Sequence, residues 1–195
     1  MTPMKILLVA DHPDDARAVE AALTGDGHSV TSCNDGSGPC RGVNNFDDCP
    51  LESSVDLAVV ARSPHGRRGI EEMGSVCAAR HRVGVVEIDP SVPDDRSIYD
   101  LADAAEHEIC VGYGHAVTAA VREYLRDAQP FDVQVSRHDR DVVVRLTLGF
   151  DAAAPMVSAI ADRARAGVRH HDRFAQVIDV AVDQHGFAAV HAKAS

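Results

Sequence analysis

The sequence predicts an α/β chain: a parallel sheet with helices on both sides, followed by a smaller α+β domain. Three observations carry this. Ile6 to Ala10 and Val55 to Ala61 are unbroken apolar runs, as strands buried on both faces should be. Segments of helical periodicity alternate with such runs, the order that makes strands parallel. Beyond residue 130 the pattern changes to strict alternation of apolar and polar residues, the mark of a hairpin with one wet face.

The elements follow in order. Ile6 to Ala10 is a first strand that ends at Asp11. Pro13, with Asp14 and Asp15 behind it, opens a helix in which Ala18, Val19, Ala22 and Leu23 recur at helical spacing. Gly25 and Gly27 close that helix. His28 to Cys33 reads as a second strand and Val55 to Ala61 as a third, with a turn at Ser63-Pro64-His65-Gly66. A helix over 69–81 leads to a fourth strand, Val83 to Ile88. A helix over 97–106, a short fifth strand from Ile109 to Val111 and a final helix over 115–126 complete the domain. Where a second helix belongs, residues 33–54 instead form a loop rich in Gly, Asn, Asp and Pro. A long structureless loop in a compact domain is usually functional or mobile.

Arg126 to Pro130 reads as a linker, so the domains are 1–126 and 131–195. In the second, Phe131 to Ser136 and Val142 to Phe150 alternate around a turn at Arg137-His138-Asp139-Arg140. Pro155 opens a helix with Met156, Ile160, Ala164 and Val168 on one face. Gln176 to Val182 is a further strand, and Phe187 to Val190 is a candidate for another.

Composition narrows the function classes. The 195 residues include 45% hydrophobic side chains, no Trp and 4% aromatics, so the cores are aliphatic and no base-stacking platform exists. A net charge of −11 argues against nucleic acid or an anionic membrane as a direct partner, since both demand a basic footprint. The acidity is read as serving solubility. No apolar stretch matches a signal peptide or the ~18 residues of a spanning helix, so the expected location is the cytoplasm. The five cysteines are then reduced by default, and five is an odd number for a disulfide framework.

The order of strands and motifs in the first 120 or so residues resembles the response-regulator receiver, a flavodoxin-like fold. Ile6-Leu7-Leu8-Val9-Ala10-Asp11 looks like its first strand, with the usual acidic pair reduced to Asp11 because Ala10 takes the first place. Val55 to Ala61 looks like its third strand, but Ala61 stands where receivers carry the phosphoacceptor Asp. Glu87 or Ile88 stands where the fourth strand ends in Ser or Thr, and Gly112-Tyr113-Gly114 where Lys-Pro follows the fifth. Phosphorylation needs a carboxylate nucleophile, a metal-holding carboxylate and a lysine to stabilise the phosphoryl oxygens. The resemblance therefore implies a pseudo-receiver, not phosphorylated, whose remaining role is docking a protein partner. Asp11, Asp14 and Asp15 are read as serving the first helix's cap and dipole.

Val142 to Phe150, Pro155 with its helix, and Val177 to Asp183 are similar to the alkaline-shock-protein family over some 55 residues. That resemblance supplies no catalytic residues. It implies an assembly or stress-associated binding module, with copies of the chain as candidate partners.

The remaining chemistry lies in the cysteines. Cys33, Cys40 and Cys49 lie in or beside the loop, Cys77 on the helix that follows the third strand, and Cys110 in the expected fifth strand. Thiolates in a loop free to turn inward suit tetrahedral zinc or an iron–sulfur cluster. Cys33, Cys40, Cys49 and Cys77 are the candidate metal ligands, with Cys33 hardest to bring in. No CxxC occurs, and a regulatory disulfide or ordinary thiols remain open. Most of the eleven histidines read as solvated surface. His28 and His81 are the candidate substitute ligands, and no HExxH is present. With no Gly-rich phosphate loop after strand one and no G-x-S-x-G, the expectation is a non-enzymatic regulatory protein. A metal-free adaptor is the alternative, and an enzyme on the same scaffold comes behind it.

Overall fold

Strand β1, Lys5–Ala10, has four consecutive residues, Ile6 to Val9, no more than 3% exposed, the burial an unbroken apolar run implies. The computed structural model describes residues 2–10, 12–34, 40–63, 73–91, 97–125 and 129–184. Within it β1 pairs in parallel with β2 (Ser29–Ser32) and β3 (Leu57–Ala61), and β3 pairs in parallel with β4 (Gly84–Ile88). The order is β2-β1-β3-β4.

Alternation along the strands divides the core into two faces. Ile6, Leu8, Leu57, Val59 and Ala61 face one way. Helix α1, Pro13–Gly25, covers them with Val19 and Leu23, and Leu101 of helix α4, Ile98–Leu125, joins the same cluster. Leu7, Val9, Ala58 and Val60 face the other way, under Ala78 of helix α3, Met73–Arg80, and under the segment between β2 and β3. That segment is not structureless. From Cys40 to Ser53 it is a chain of single turns: α2, Arg41–Asn44, then 3₁₀ turns at Phe46–Asp48 and Pro50–Glu52. Leu51, 1% exposed, pins the segment to the sheet.

The expected fifth strand does not exist. Ile109 to Val111 lies inside α4, so this sheet has four strands among the described residues. A stripe spaced by four runs through Leu101, Ala105, Ile109, Tyr113, Val117, Val121 and Leu125, and it overrides the local β-propensity of three residues. Gly112 and Gly114, matched by sequence to the place after that strand, are interior helix positions.

The chain divides into compact units of residues 1–107 and 108–195, a division that falls within α4, whereas the sequence pattern places it at Arg126 to Pro130. In the second unit β5 (Phe131–His138) and β6 (Asp141–Leu148) form the expected hairpin, turning at Asp139 with φ 55°. Strand β7, Ile178–Gln184, lies parallel to β6, giving a mixed sheet of order β5-β6-β7. Its buried face, with Val142, Val144, Leu146 and Leu148, packs with Ile160, Ala164 and Val168 of helix α5 (Ala154–His171) and with Tyr113, Val117 and Val121. The Tyr113 hydroxyl donates to Oδ2 of buried Asp172 at 2.5 Å, and Oδ1 of that carboxylate accepts from the Phe174 amide at 2.8 Å. The candidate strand at Phe187 to Val190 lies outside the described residues. No helix among the described residues is long and apolar enough to cross a membrane.

Candidate metal centre

The carboxyl ends of β1 and β3, where a receiver would carry its acids, hold Ala10 and Ala61 side by side in register, and Ala61 is fully buried. Asp11 lies outside the described residues. Asp14 pairs with Arg17 one turn on, and Asp15 accepts from the Ser63 hydroxyl at 3.3 Å. Both sit in the first turn of α1, where a carboxylate favours the helix dipole. At the end of β4, Ile88 lies opposite Ala61, and Glu87 pairs with Arg62 at 2.7 Å. Gly112-Tyr113-Gly114, matched by sequence to the Lys-Pro position, belongs to a helix.

The other face of the sheet holds the sulfur. Cys33, Cys40, Cys49 and Cys77 all belong to one packed cluster with Leu7, Val9, Leu51 and Val60. Their arrival there follows from the local chain. Cys33 directly follows β2 and faces the side opposite Ser32, continuing the strand's alternation. The Arg41 amide donates to the Cys33 carbonyl at 2.8 Å, which folds the returning chain back over that face and sets Cys40 beside it. Cys49 sits between two 3₁₀ turns, and Cys77 faces down from α3. Cys40 and Cys49 each occupy a helix-cap position, yet neither side chain makes a capping hydrogen bond.

Two glycines make room for the thiols. A Cβ on Gly74 of α3 would stand 3.0 Å from the Cys33 sulfur and 2.9 Å from Val9. A Cβ on Gly42 would stand 3.0 Å from the Cys49 Cβ and 3.6 Å from its sulfur. Larger residues at either place would push the sulfurs away from the cluster.

Electrostatics agrees with the packing. Burial pushes the Cys33 thiol up to about 12, with charge on Cys40, Cys49 and Cys77 adding to the effect and Arg41 opposing it. Burial also raises Cys77, reinforced by Cys40 and Cys49 and opposed by Arg80. Charge on Cys40 and Cys49 is thus felt at both Cys33 and Cys77, and a cation beside them would relieve that repulsion. Among the described residues, no set of three or more His, Cys, Asp or Glu side chains is already arranged to hold a metal ion. The donor set fits a soft metal in kind: four sulfurs in an apolar surround.

Cys33, the residue sequence spacing made hardest to recruit, is the most buried of the four, at 6% exposure. Cys110 belongs to α4 in the second unit and is not a member of that cluster. His28, a candidate substitute ligand, is buried against Tyr99 of α4, with ring centroids 5.4 Å apart, and its Nδ1 accepts from the Met4 amide at 3.2 Å. It serves the opposite side of the sheet. His81 follows α3, its amide donating to the Cys77 carbonyl at 2.9 Å, one turn along from Cys77.

No protein-family model matches the chain, and no curated protein matches it. A solved structure to which it is similar is that of Era from Aquifex aeolicus bound to GDP and AlF4−, at 9% identity and a TM-score of 0.29, covering 92% of this chain. The chain spans 64% of that protein, and a likeness of this size carries no argument about fold or function.

Proposed function

We propose that this chain is a non-catalytic regulatory protein: a receiver-like, flavodoxin-related domain that is not phosphorylated, in which Cys33, Cys40, Cys49 and Cys77 hold zinc or an iron–sulfur cluster. The bound metal orders the segment over 40–53, and that order is what a protein partner reads. The second unit, similar in pattern to alkaline-shock proteins, serves as an assembly module for copies of the chain or for that partner. One observation carries the reading. Four of the five cysteines, from a strand end, two turns and a helix, converge on one face of one sheet. The strand order β2-β1-β3-β4 and the alanines at the phosphoacceptor end support the receiver-like part.

The test is metal content. Protein purified anaerobically from metal-replete cells is expected to carry about one zinc, or iron with acid-labile sulfide and a visible absorption band. Serine at any of the four positions is expected to lower that content at least ~tenfold, a first-ligand loss being no milder than an outer-shell one. Cys110→Ser is expected to leave it unchanged. Four serine variants that keep wild-type metal, or a wild type with none, would remove the sensor reading and leave the adaptor. Two variants alike, with sensitivity to reductant and not to chelator, would mark a disulfide instead.

A further inference from the structure

A second feature adjoins the sulfur cluster from the opposite side of β2. Between α1 and the carboxyl ends of β1 and β2 lies a cavity of about 520 Å³. Its floor is apolar, with Leu8, Ala16 and Val30. Its rim is polar, with Ser32, Asn34, Arg17 and Arg41. The cavity opens beside the β1–β2 pair, one strand away from the β1–β3 switch point of this sheet. The volume falls within the ~300–1,000 Å³ of small-molecule sites. His12 and Pro13, at the amino end of the 13-residue α1, also line it, so the positive end of a helix dipole borders the space. Arg17 engages Asp14 through one terminal nitrogen only, which leaves guanidinium donors for an anion. Among the described residues, Glu20 is the one carboxylate in the lining. Two guanidiniums above an apolar floor suit a molecule with a phosphate at one end and a flat or aliphatic body at the other.

The cavity and the thiols share a backbone. Ser32 and Asn34 line the cavity, while Cys33 between them joins the sulfur cluster. Arg41 lines the cavity, directly follows Cys40 and donates its amide to the Cys33 carbonyl at 2.8 Å. Whatever holds Arg41 still also holds two of the four thiols.

We propose that this cavity binds a small phosphate ester, its anion against Arg41 and Arg17 and its body on Leu8 and Val30, and that occupancy steadies the thiol centre across β2. The binding half stands independently of the metal reading, and the coupling half rests on it.

The full chain as purified is titrated with AMP, ribose 5-phosphate and inorganic phosphate by calorimetry, and metal release to a chelator is timed with and without the ester. Saturable binding of at least one ester is expected, tighter than inorganic phosphate. Arg41→Gln and Arg17→Gln, checked for an unchanged circular dichroism spectrum, are expected to weaken it about tenfold or more, as loss of a charge-assisted bond does. Bound ester is expected to slow metal release severalfold. No saturable ester binding, or binding unchanged in both Arg variants, overturns the site. Inorganic phosphate binding as tightly as either ester overturns the assignment to an ester. Ester binding that leaves metal release unchanged overturns the coupling. Ester bound by a Cys33→Ser chain that lacks metal supports the site, so failure of the metal reading and failure of the cavity give different results.

Discussion

The two faces of the parallel sheet solve the same problem with different materials. One is covered by helices whose aliphatic side chains, Val19, Leu23 and Leu101, bury themselves by ordinary packing. The other is half covered by a segment of single turns that buries one large aliphatic residue completely, Leu51, and leaves Val43 and Phe46 at 74% and 64% exposure. Isolated turns are poor cooperative units, and each ordered residue costs roughly 1–2 kcal/mol of backbone entropy. What the second face has, and the first lacks among the described residues, is thiols: four cysteines against none. The contrast teaches that a cover of single turns leaves more apolar surface in water than a helix does, and under the proposed metal reading the thiols would supply the missing hold.

Chelation is expected to break the symmetry most sharply. In the proposed metal-bound protein, stripping the metal should speed proteolytic cleavage within residues 40–53 at least ~tenfold, while cleavage in α1 stays at its former rate. Equal rates before and after chelation would show that packing alone holds both covers.

A pair of core truncations sharpens the same comparison. Leu57→Ala on the α1 face and Leu51→Ala on the sulfur face each remove a side chain 1% exposed, and each is expected to cost about 2–5 kcal/mol in chemical denaturation of the metal-bound protein. After chelation the Leu51→Ala penalty should shrink, because its segment has already lifted, and the Leu57→Ala penalty should persist. Two penalties that survive chelation equally would detach the segment from the thiols.

Gly74→Ala is expected to cost about 1–3 kcal/mol, since its new methyl meets Val9 and the Cys33 sulfur at 3.0 Å or less. Gly25→Ala at the end of α1, with nothing within 4 Å, serves as the control and is expected to leave thermal stability within ~1 kcal/mol of wild type.

The smallest effect expected is a pH slope in the metal-free chain. Burial raises the Cys33 thiol from 9.0 to about 12. The folded state therefore holds its proton longer than the unfolded chain, and that stabilisation is complete below pH 9.0 and lost as pH climbs towards about 12. Cys33→Ala should flatten the alkaline decline in denaturation midpoint. A decline of unchanged steepness would assign it to other groups.

Much of this architecture is legible in the sequence, and the failures have particular causes. β1, β3 and β4 announce themselves as apolar runs, and β5 and β6 as alternation around Asp139, because burial on two faces or one leaves a direct trace in residue order. Ile109 to Val111 misleads because three apolar residues fit a strand as well as a helix, and only the spacing of four from Leu101 to Leu125 decides between them. The turns of 41–52 leave no periodic signal, each being shorter than one heptad. Cys33 is underrated by chain topology and placed by strand alternation, which aims it at the face that Cys40, Cys49 and Cys77 reach from elsewhere. The cavity beside Arg41 has no sequence motif at all, since its walls come from two strands, a helix and a returning turn.

The Tyr113–Asp172 hydrogen bond gives the second unit its own optical label. The chain has no Trp and three Tyr, so its ultraviolet emission is tyrosine emission alone. A phenol donating to a buried carboxylate is strongly quenched, and at 2.5 Å Tyr113 should be nearly dark while folded. When α5 and the turn at Asp172 come apart, that ring is released and brightens. Tyr99, donating to the Thr2 carbonyl in the first unit, has no carboxylate partner in that bond and lacks the same contrast. Melting of the α+β unit is therefore expected to show as a rise in emission from the unlabelled wild-type chain, a readout that needs neither a dye nor a metal.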